Sequence, residues 1–382
     1  MKQKILFVGH DANRAGAQIL LLRFLKLLKE KTQIEFSVLL KYGGPLVDDY
    51  RAIAETFVLY QAPSTSLKRI LLEKVKQKIL GKANNTGPLW NTLKAKQFDL
   101  IVSNTFTNGD IFPELTQLGC PIYSYIHELE MGINMYSSAK NIQNTLNGTH
   151  RYIACADSVK GNLINQFGIQ PNKIDVLPSL LPEAAMNYKP DVSQIASIKK
   201  QLGIPEQAFV VGGMGTIDLR KGVDLFLQIG HLLQAHGVYL VWVGGSHQQA
   251  DFQLFNIDKK RLKLDNLKFV EAVANPLDYM ALFDIFALTS REDPYPLVVL
   301  EAALLSKPII CFDQAGGAKD FVETNAGFLI DYLDVQAFAK QIEQLIQNTP
   351  ERTEKGTNAH KKVLERHQTQ YAFDTFLAIL TQ

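Results

Sequence analysis

Short apolar runs recur along the whole chain and alternate with stretches of helical periodicity. In the first half, strands are predicted at 5–8, 34–40, 56–60, 99–103, 121–126, 151–154 and 173–177, with a strongly apolar helix at 17–28 after the turn 10–16. The segment 178–190 holds three prolines and no clear periodicity, which marks a linker. The alternation then restarts with strands at 208–213, 238–243, 267–270, 284–288, 308–312 and 327–330, and a helix at 223–234 after the turn 215–222. From 335 to 382 the pattern is helical with no further strand. The implied fold class is α/β, with two doubly wound, mainly parallel domains at 1–185 and 186–367. Ligand is expected between them, at the carboxyl ends of the strands.

Composition narrows the picture. At 382 residues there is chain enough for two cores, and 46% hydrophobic with 20% charged residues describes a soluble globular protein. A formal charge of +2 gives no argument for nucleic acid. Cys120, Cys155 and Cys311 lie far apart in or beside apolar runs and read as small core residues of a reducing compartment. No run approaches 18 uninterrupted apolar residues and no secretory leader is visible, so a cytoplasmic protein is expected.

The chemistry is concentrated in Thr-Ser-Arg-Glu-Asp-Pro-Tyr-Pro-Leu-Val-Val-Leu-Glu-Ala-Ala, residues 289–303. Pro294 and Pro296 suit the first turn of a helix, and 297–305 is apolar all round except for Glu301. A buried carboxylate costs several kcal/mol, roughly, unless something hydrogen-bonds it. Asp293 sits at the helix mouth, where free amides favour anions. The spacing suits a phosphorylated ligand whose hydroxyls meet the two acids while its phosphates face the amides. It equally suits Glu301 salt-bridged to a core cation, with Asp293 as a cap. In the turn 212–222, Arg220 and Lys221 stand beside a glycine-rich strand end, where they could hold a diphosphate. A solvated loop would carry the same residues.

The acid, seven residues and Glu-Ala, with Ser before and aromatic-Pro-Leu-Val between, resembles the signature of the retaining, nucleotide-sugar-dependent glycosyltransferases called family 4 or group 1. That family has the GT-B fold, two Rossmann-like domains whose terminal helix returns to the first, here expected within 368–382. The resemblance implies Glu301 on the ribose hydroxyls, and Asp293 or Glu292 on the donor sugar. It places Arg220, Lys221 and the Leu297 and Val298 amides on the diphosphate, with Tyr295 and Pro296 between. Lys221-Gly222 fits the family's Lys-Gly. Its usual Arg is replaced by Thr216, beside Gly215, and its usual first Glu by Asp293. Ala272 and Val273 match the family's base pocket, with Gly244 on the neighbouring strand end, and 314–317 resembles its glycine loop. In the first half, the loop with Gly16 and Ala17 matches one that reaches the donor phosphate or the acceptor. His127 matches a histidine beside the transferred sugar. His10 and Glu128 are acceptor-side candidates.

The implied activity is metal-independent hexosyl transfer from a UDP- or GDP-sugar to a saccharide or lipid-linked acceptor, in cell-surface polysaccharide or glycolipid synthesis. No Asp-x-Asp occurs, so no metal and no cofactor are expected. Residues 66–82 read as a basic amphipathic helix suited to an anionic membrane surface, or as a solvated helix. Two other readings use the same residues: a nucleotide-sugar epimerase or hydrolase, and a non-catalytic nucleotide-sugar-binding partner of another transferase.

Overall fold

The computed structural model describes residues 3–60 and 86–382, and the basic stretch 66–82 lies outside them. By internal contacts the chain divides into two units. The first comprises Met1–Cys155, Lys160–Leu177 and Thr375–Gln382, and the second Ala156–Val159 and Pro178–Asp374.

The first unit is built on a 7-stranded sheet in the order β3-β2-β1-β4-β5-β6-β7. The strands are β1 (Lys4–Gly9), β2 (Glu35–Tyr42), β3 (Glu55–Tyr60), β4 (Leu100–Ser103), β5 (Ile122–Ile126), β6 (Arg151–Ala154) and β7 (Ile174–Val176). All pairings are parallel, in the register Ile5 to Phe36 on one side and Ile5 to Leu100 on the other. Ile5 through Val8 are fully buried, which is why this strand reads as an unbroken apolar run rather than an alternation. Within the same unit, Phe376 packs on Phe7 and Phe24 at centroid distances of 6.1 and 4.7 Å, and Gln3 donates to the Leu380 carbonyl at 2.9 Å. The end of the terminal helix, Thr369–Leu380, thus belongs to the first unit, as expected.

The second unit carries a 6-stranded parallel sheet in the order β10-β9-β8-β11-β12-β13. Its strands are β8 (Val210–Met214), β9 (Tyr239–Val243), β10 (Leu267–Val270), β11 (Ile285–Leu288), β12 (Ile309–Phe312) and β13 (Gly327–Ile330). Alternate residues feed two cores: Val241, Val243, Phe286 and Leu288 join one, Leu240, Trp242, Ile285 and Ala287 the other. Helices cover both faces, so both faces must be apolar.

Two local expectations change. The helix predicted over 223–234 runs Val223–Leu232 and tightens into a 3₁₀ turn, Gln234–His236, ended by Gly237 at φ +65°. The proline pair lies ahead of the helix Leu297–Leu304 rather than inside its first turn, with Pro296 as the cap residue in extended geometry.

Candidate functional site

In the second sheet the strand order reverses between β8 and β11, so the crevice at their carboxyl ends is where an open α/β sheet binds ligands. Two turns meet there, 215–222 after β8 and 289–293 after β11. Their approach depends on glycine. Gly222 has φ +68°, and a Cβ on it would lie 1.9 Å from the Thr289 carbonyl oxygen. Thr289 Oγ1 donates to the carbonyls of Gly222 at 2.9 Å and Lys221 at 3.3 Å. Gly244, at φ +124°, leaves a Cβ position 2.3 Å from the Gly215 carbonyl oxygen, which brings the ends of β8 and β9 together.

On this frame the Lys221 ammonium is paired with the Asp293 carboxylate, and the two side chains are only 14% and 8% exposed. Ser290 Oγ donates to the same Asp293 oxygen at 3.3 Å. Arg220 Nη1 donates to the Glu292 carbonyl at 3.0 Å. Thr216 is exposed and donates to Asp218 at 2.7 Å, while the other Asp218 oxygen accepts the Lys221 amide at 2.7 Å. Thr216 therefore braces the turn.

Arg291 was not among the candidates read from the sequence. Its guanidinium donates to both oxygens of Asp224 and to the Leu219 carbonyl, each at 2.7 Å, and its amide donates to the Arg220 carbonyl at 2.8 Å. The Asp224 hydrogen bond outweighs partial burial and holds the guanidinium pKa above its usual value. An apolar-and-acidic reading of 289–303 had no way to see a partner 67 residues away.

The glycine loop also abuts this place. Asp293 bridges to Gly316, its amide donating to the Ala315 carbonyl at 2.6 Å, and Gly317 donates to the Asp293 carbonyl at 3.1 Å. A Cβ at Gly317 would lie 2.2 Å from the Pro294 carbonyl oxygen. On the helix that follows, Val299, Leu300, Ala302, Ala303 and Leu304 are buried, whereas Leu297, Val298 and Glu301 are only half-buried and share one face. Glu301 is thus not the fully buried acid the apolar pattern suggested. Among the described residues, no acceptor meets the amides of Leu297 and Val298. Tyr295 turns its hydroxyl to His367 Nε2 at 2.8 Å, and Pro296 is buried. Ala272 is exposed at the end of β10, where its amide donates to Gly245 at 3.0 Å, and Val273 is half-buried.

The first unit presents a second group of candidates around its own order reversal, between β1 and β4. His127 Nε2 lies 3.0 Å from Asn104 Oδ1. Asn104 Nδ2 donates to the Ala17 carbonyl at 3.2 Å, which turns Oδ1 toward the ring. Nε2 therefore carries the proton and Nδ1 remains an acceptor. Burial pushes the His127 pKa down to about 3, so the ring is neutral at ordinary pH. Glu128 accepts from Thr105 Oγ1, from the Phe106 amide at 3.1 Å and from the His127 amide at 3.0 Å. Burial raises its pKa against those bonds. With that many donors on it, Glu128 ties the loop after β4 to the loop that carries His127. His10 Nδ1 is 3.3 Å from Asp11, whose pKa falls to about 2 because bonds from His10, Asn13 and Gln18 outweigh the effect of burial. A Cβ at Gly16 would meet nothing within 4 Å, so the start of the helix Gly16–Lys31 is open.

Among the described residues, no three His, Cys, Asp or Glu side chains gather as a metal site, and no helix is long and apolar enough to cross a membrane.

Comparison with known proteins adds a family. Residues 194–362 match the family described as glycosyl transferases group 1. The capsular polysaccharide biosynthesis glycosyltransferase CapM of Staphylococcus aureus is 23% identical over 229 residues, covering 58% of this chain and 59% of its own. The O-antigen biosynthesis glycosyltransferase WclY of Escherichia coli is 29% identical over 112 residues, 29% of this chain and 31% of its own. The match thus spans less than two thirds of either relative's length. Among solved structures, HepE of Anabaena in complex with UDP and glucose superposes with a TM-score of 0.81 over 100% of both chains at 22% identity. The fold is GT-B.

Proposed function

We propose, from the premise that the chain belongs to the group 1 glycosyltransferases through residues 194–362, that it is a retaining, metal-independent transferase. It moves a sugar from a UDP- or GDP-sugar to a saccharide or lipid-linked acceptor in cell-surface polysaccharide or glycolipid synthesis. One observation carries the reading: a Lys221 ammonium paired with Asp293 in the turn that leads into a helix whose first two amides lack acceptors among the described residues, with Glu301 one turn further along its half-buried face.

In this reading Lys221, Arg220 and the amides of Leu297 and Val298 stabilise the departing diphosphate. A charge pair at about 4 Å contributes roughly 4 kcal/mol at an intermediate dielectric, enough to matter for a leaving group. Glu301 accepts the ribose hydroxyls, and Asp293 or Glu292 positions the donor sugar. Ala272 and Val273 border the base. The neutral His127, with Nδ1 as acceptor, takes a hydrogen bond from a sugar hydroxyl rather than donating one to it. His10 and the open helix start at Gly16 and Ala17 serve the phosphate or acceptor side. The names of the polysaccharide and O-antigen relatives support the pathway class, and HepE crystallised with UDP-glucose makes that sugar nucleotide the first donor to test.

The deciding experiment is a panel of UDP- and GDP-sugars scored by thermal shift, then by nucleotide release with acceptor extracts in the presence of EDTA. Acceptor-dependent release supports transfer. Conversion without acceptor supports the epimerase or hydrolase, binding without turnover the non-catalytic partner, and loss of release in EDTA overturns metal independence. Contact of 66–82 with anionic lipid, proposed from charge pattern alone, is tested by vesicle sedimentation. Binding unchanged by Lys74→Glu with Lys78→Glu overturns it.

A further inference from the structure

The bonds of Arg291 bracket Lys221 in sequence. Its amide and guanidinium hold the carbonyls of Arg220 and Leu219, just before the lysine, and its Nη atoms hold Asp224, just after it. On its own side it sits two residues from Asp293, the partner of that lysine. Tyr332 steadies it from outside by donating to the Arg291 carbonyl at 3.1 Å. The 289–293 turn therefore carries both a counter-charge for the Lys221 ammonium and a clamp on the backbone beneath it. Asp224 and the Leu219 carbonyl take three of the five guanidinium N–H donors, and Asp224 offsets the charge, which makes the guanidinium a brace for the turn first.

We propose that Arg291 is a positioning residue that acts through Lys221, fixing the place of its ammonium before any diphosphate arrives. The bidentate geometry is what a lysine cannot reproduce: an ammonium is a point charge, whereas the planar fork reaches one carboxylate and one carbonyl together. The inference rests on the diphosphate reading of Lys221 given above, but its first readout needs no nucleotide.

In the ligand-free protein, reductive methylation followed by mass spectrometry reports the accessibility of Lys221. Arg291→Ala, Arg291→Lys and Asp224→Asn are each expected to speed its modification several-fold while other lysines keep their rates. Unchanged Lys221 rates in all three variants overturn the proposal. The second readout is a double-mutant cycle on the affinity for UDP or GDP, whichever the wild type binds. Arg291→Lys is expected to weaken binding about tenfold in the wild-type background and less than about twofold in Lys221→Ala, because the clamp then has nothing to place. Equal losses in both backgrounds mark a general structural staple and overturn the proposal. If the wild type binds neither nucleotide, the diphosphate reading falls and the methylation result alone decides on the clamp. Arg291→Lys keeps the charge, so the test survives if Arg291→Ala does not fold.

Discussion

The ammonium of Lys221 and the carboxylate of Asp293 are joined in the turn that precedes the helix Leu297–Leu304, both largely shielded from water. The pair links two turns 72 residues apart in sequence, and it assigns each partner a duty before a ligand binds. Removing one partner of such a pair leaves a charge shielded and unanswered, which costs roughly 3–5 kcal/mol when burial is complete. Asp293→Asn is therefore expected to lower Tm by several degrees. A nucleotide diphosphate supplies the lost negative charge, so it should raise the Tm of the variant by more than it raises that of the wild type. Equal ligand-induced shifts in the two proteins would show that phosphate never reaches Lys221.

Gly222 sets how closely the two turns approach. A methyl group there meets both an unfavourable φ of +68° and the Thr289 carbonyl oxygen at 1.9 Å. The left-handed backbone alone costs about 1–2 kcal/mol, and moving the end of β11 adds to it. Gly222→Ala is expected to destabilise by about 3 kcal/mol or more and to abolish nucleotide binding. Gly161 is the control: it lies in the helix Asp157–Phe167 with nothing within 4 Å of a Cβ, so Gly161→Ala should be neutral or stabilise by up to about 1 kcal/mol. Chemical unfolding of both variants measures the contrast.

The strands and the site were not equally legible. Runs such as Ile5–Val8 announce themselves because a parallel sheet covered on both faces needs apolar residues at every position. Lys221-Gly222 and the acid-rich turn were visible as motifs, since a φ requirement and a charge cluster leave marks in the sequence. Arg291 was not, because its carboxylate partner lies on another helix and looks there like an ordinary first-turn acid. Glu128 was legible only as a charged neighbour of His127; that three donors from two loops meet its carboxylate was not. Side-chain saturation of that kind is a property of loop geometry, which periodicity does not encode.

His127 makes stability pH-dependent on the acid side. Unfolded, the imidazole takes up a proton near the ordinary histidine value of 6.5; folded, burial delays this to about 3. The unfolded state therefore binds more protons across that interval, and stability falls as pH falls through it. His367, whose pKa burial also lowers, adds in the same direction. Glu128 acts oppositely just above the ordinary glutamate value of 4.5, since burial raises its pKa. His127→Gln keeps a hydrogen-bonding side chain without the titration. Urea midpoints of wild type and variant are expected to converge as pH drops from 6.5 toward 5; parallel curves would remove His127 as the cause.

Glu301 offers the sharpest separation of binding from folding. It shares the half-buried face of its helix with Leu297 and Val298, while the buried face carries the packing, and glutamine keeps the shape and the hydrogen-bonding capacity of the side chain, so Glu301→Gln should leave Tm within about 2 °C of wild type. Loss of a charged acceptor facing hydroxyls typically costs about 1.5–3 kcal/mol, or roughly a 10- to 100-fold weaker donor complex. If those hydroxyls belong to the ribose, the 2′-deoxy nucleotide should bind the wild type more weakly by a similar factor and show little further loss in Glu301→Gln. Calorimetric titration of both nucleotides against both proteins completes that cycle. Full additivity of the two losses would move Glu301 away from the ribose and leave the helix mouth, with Lys221, to carry the donor without it.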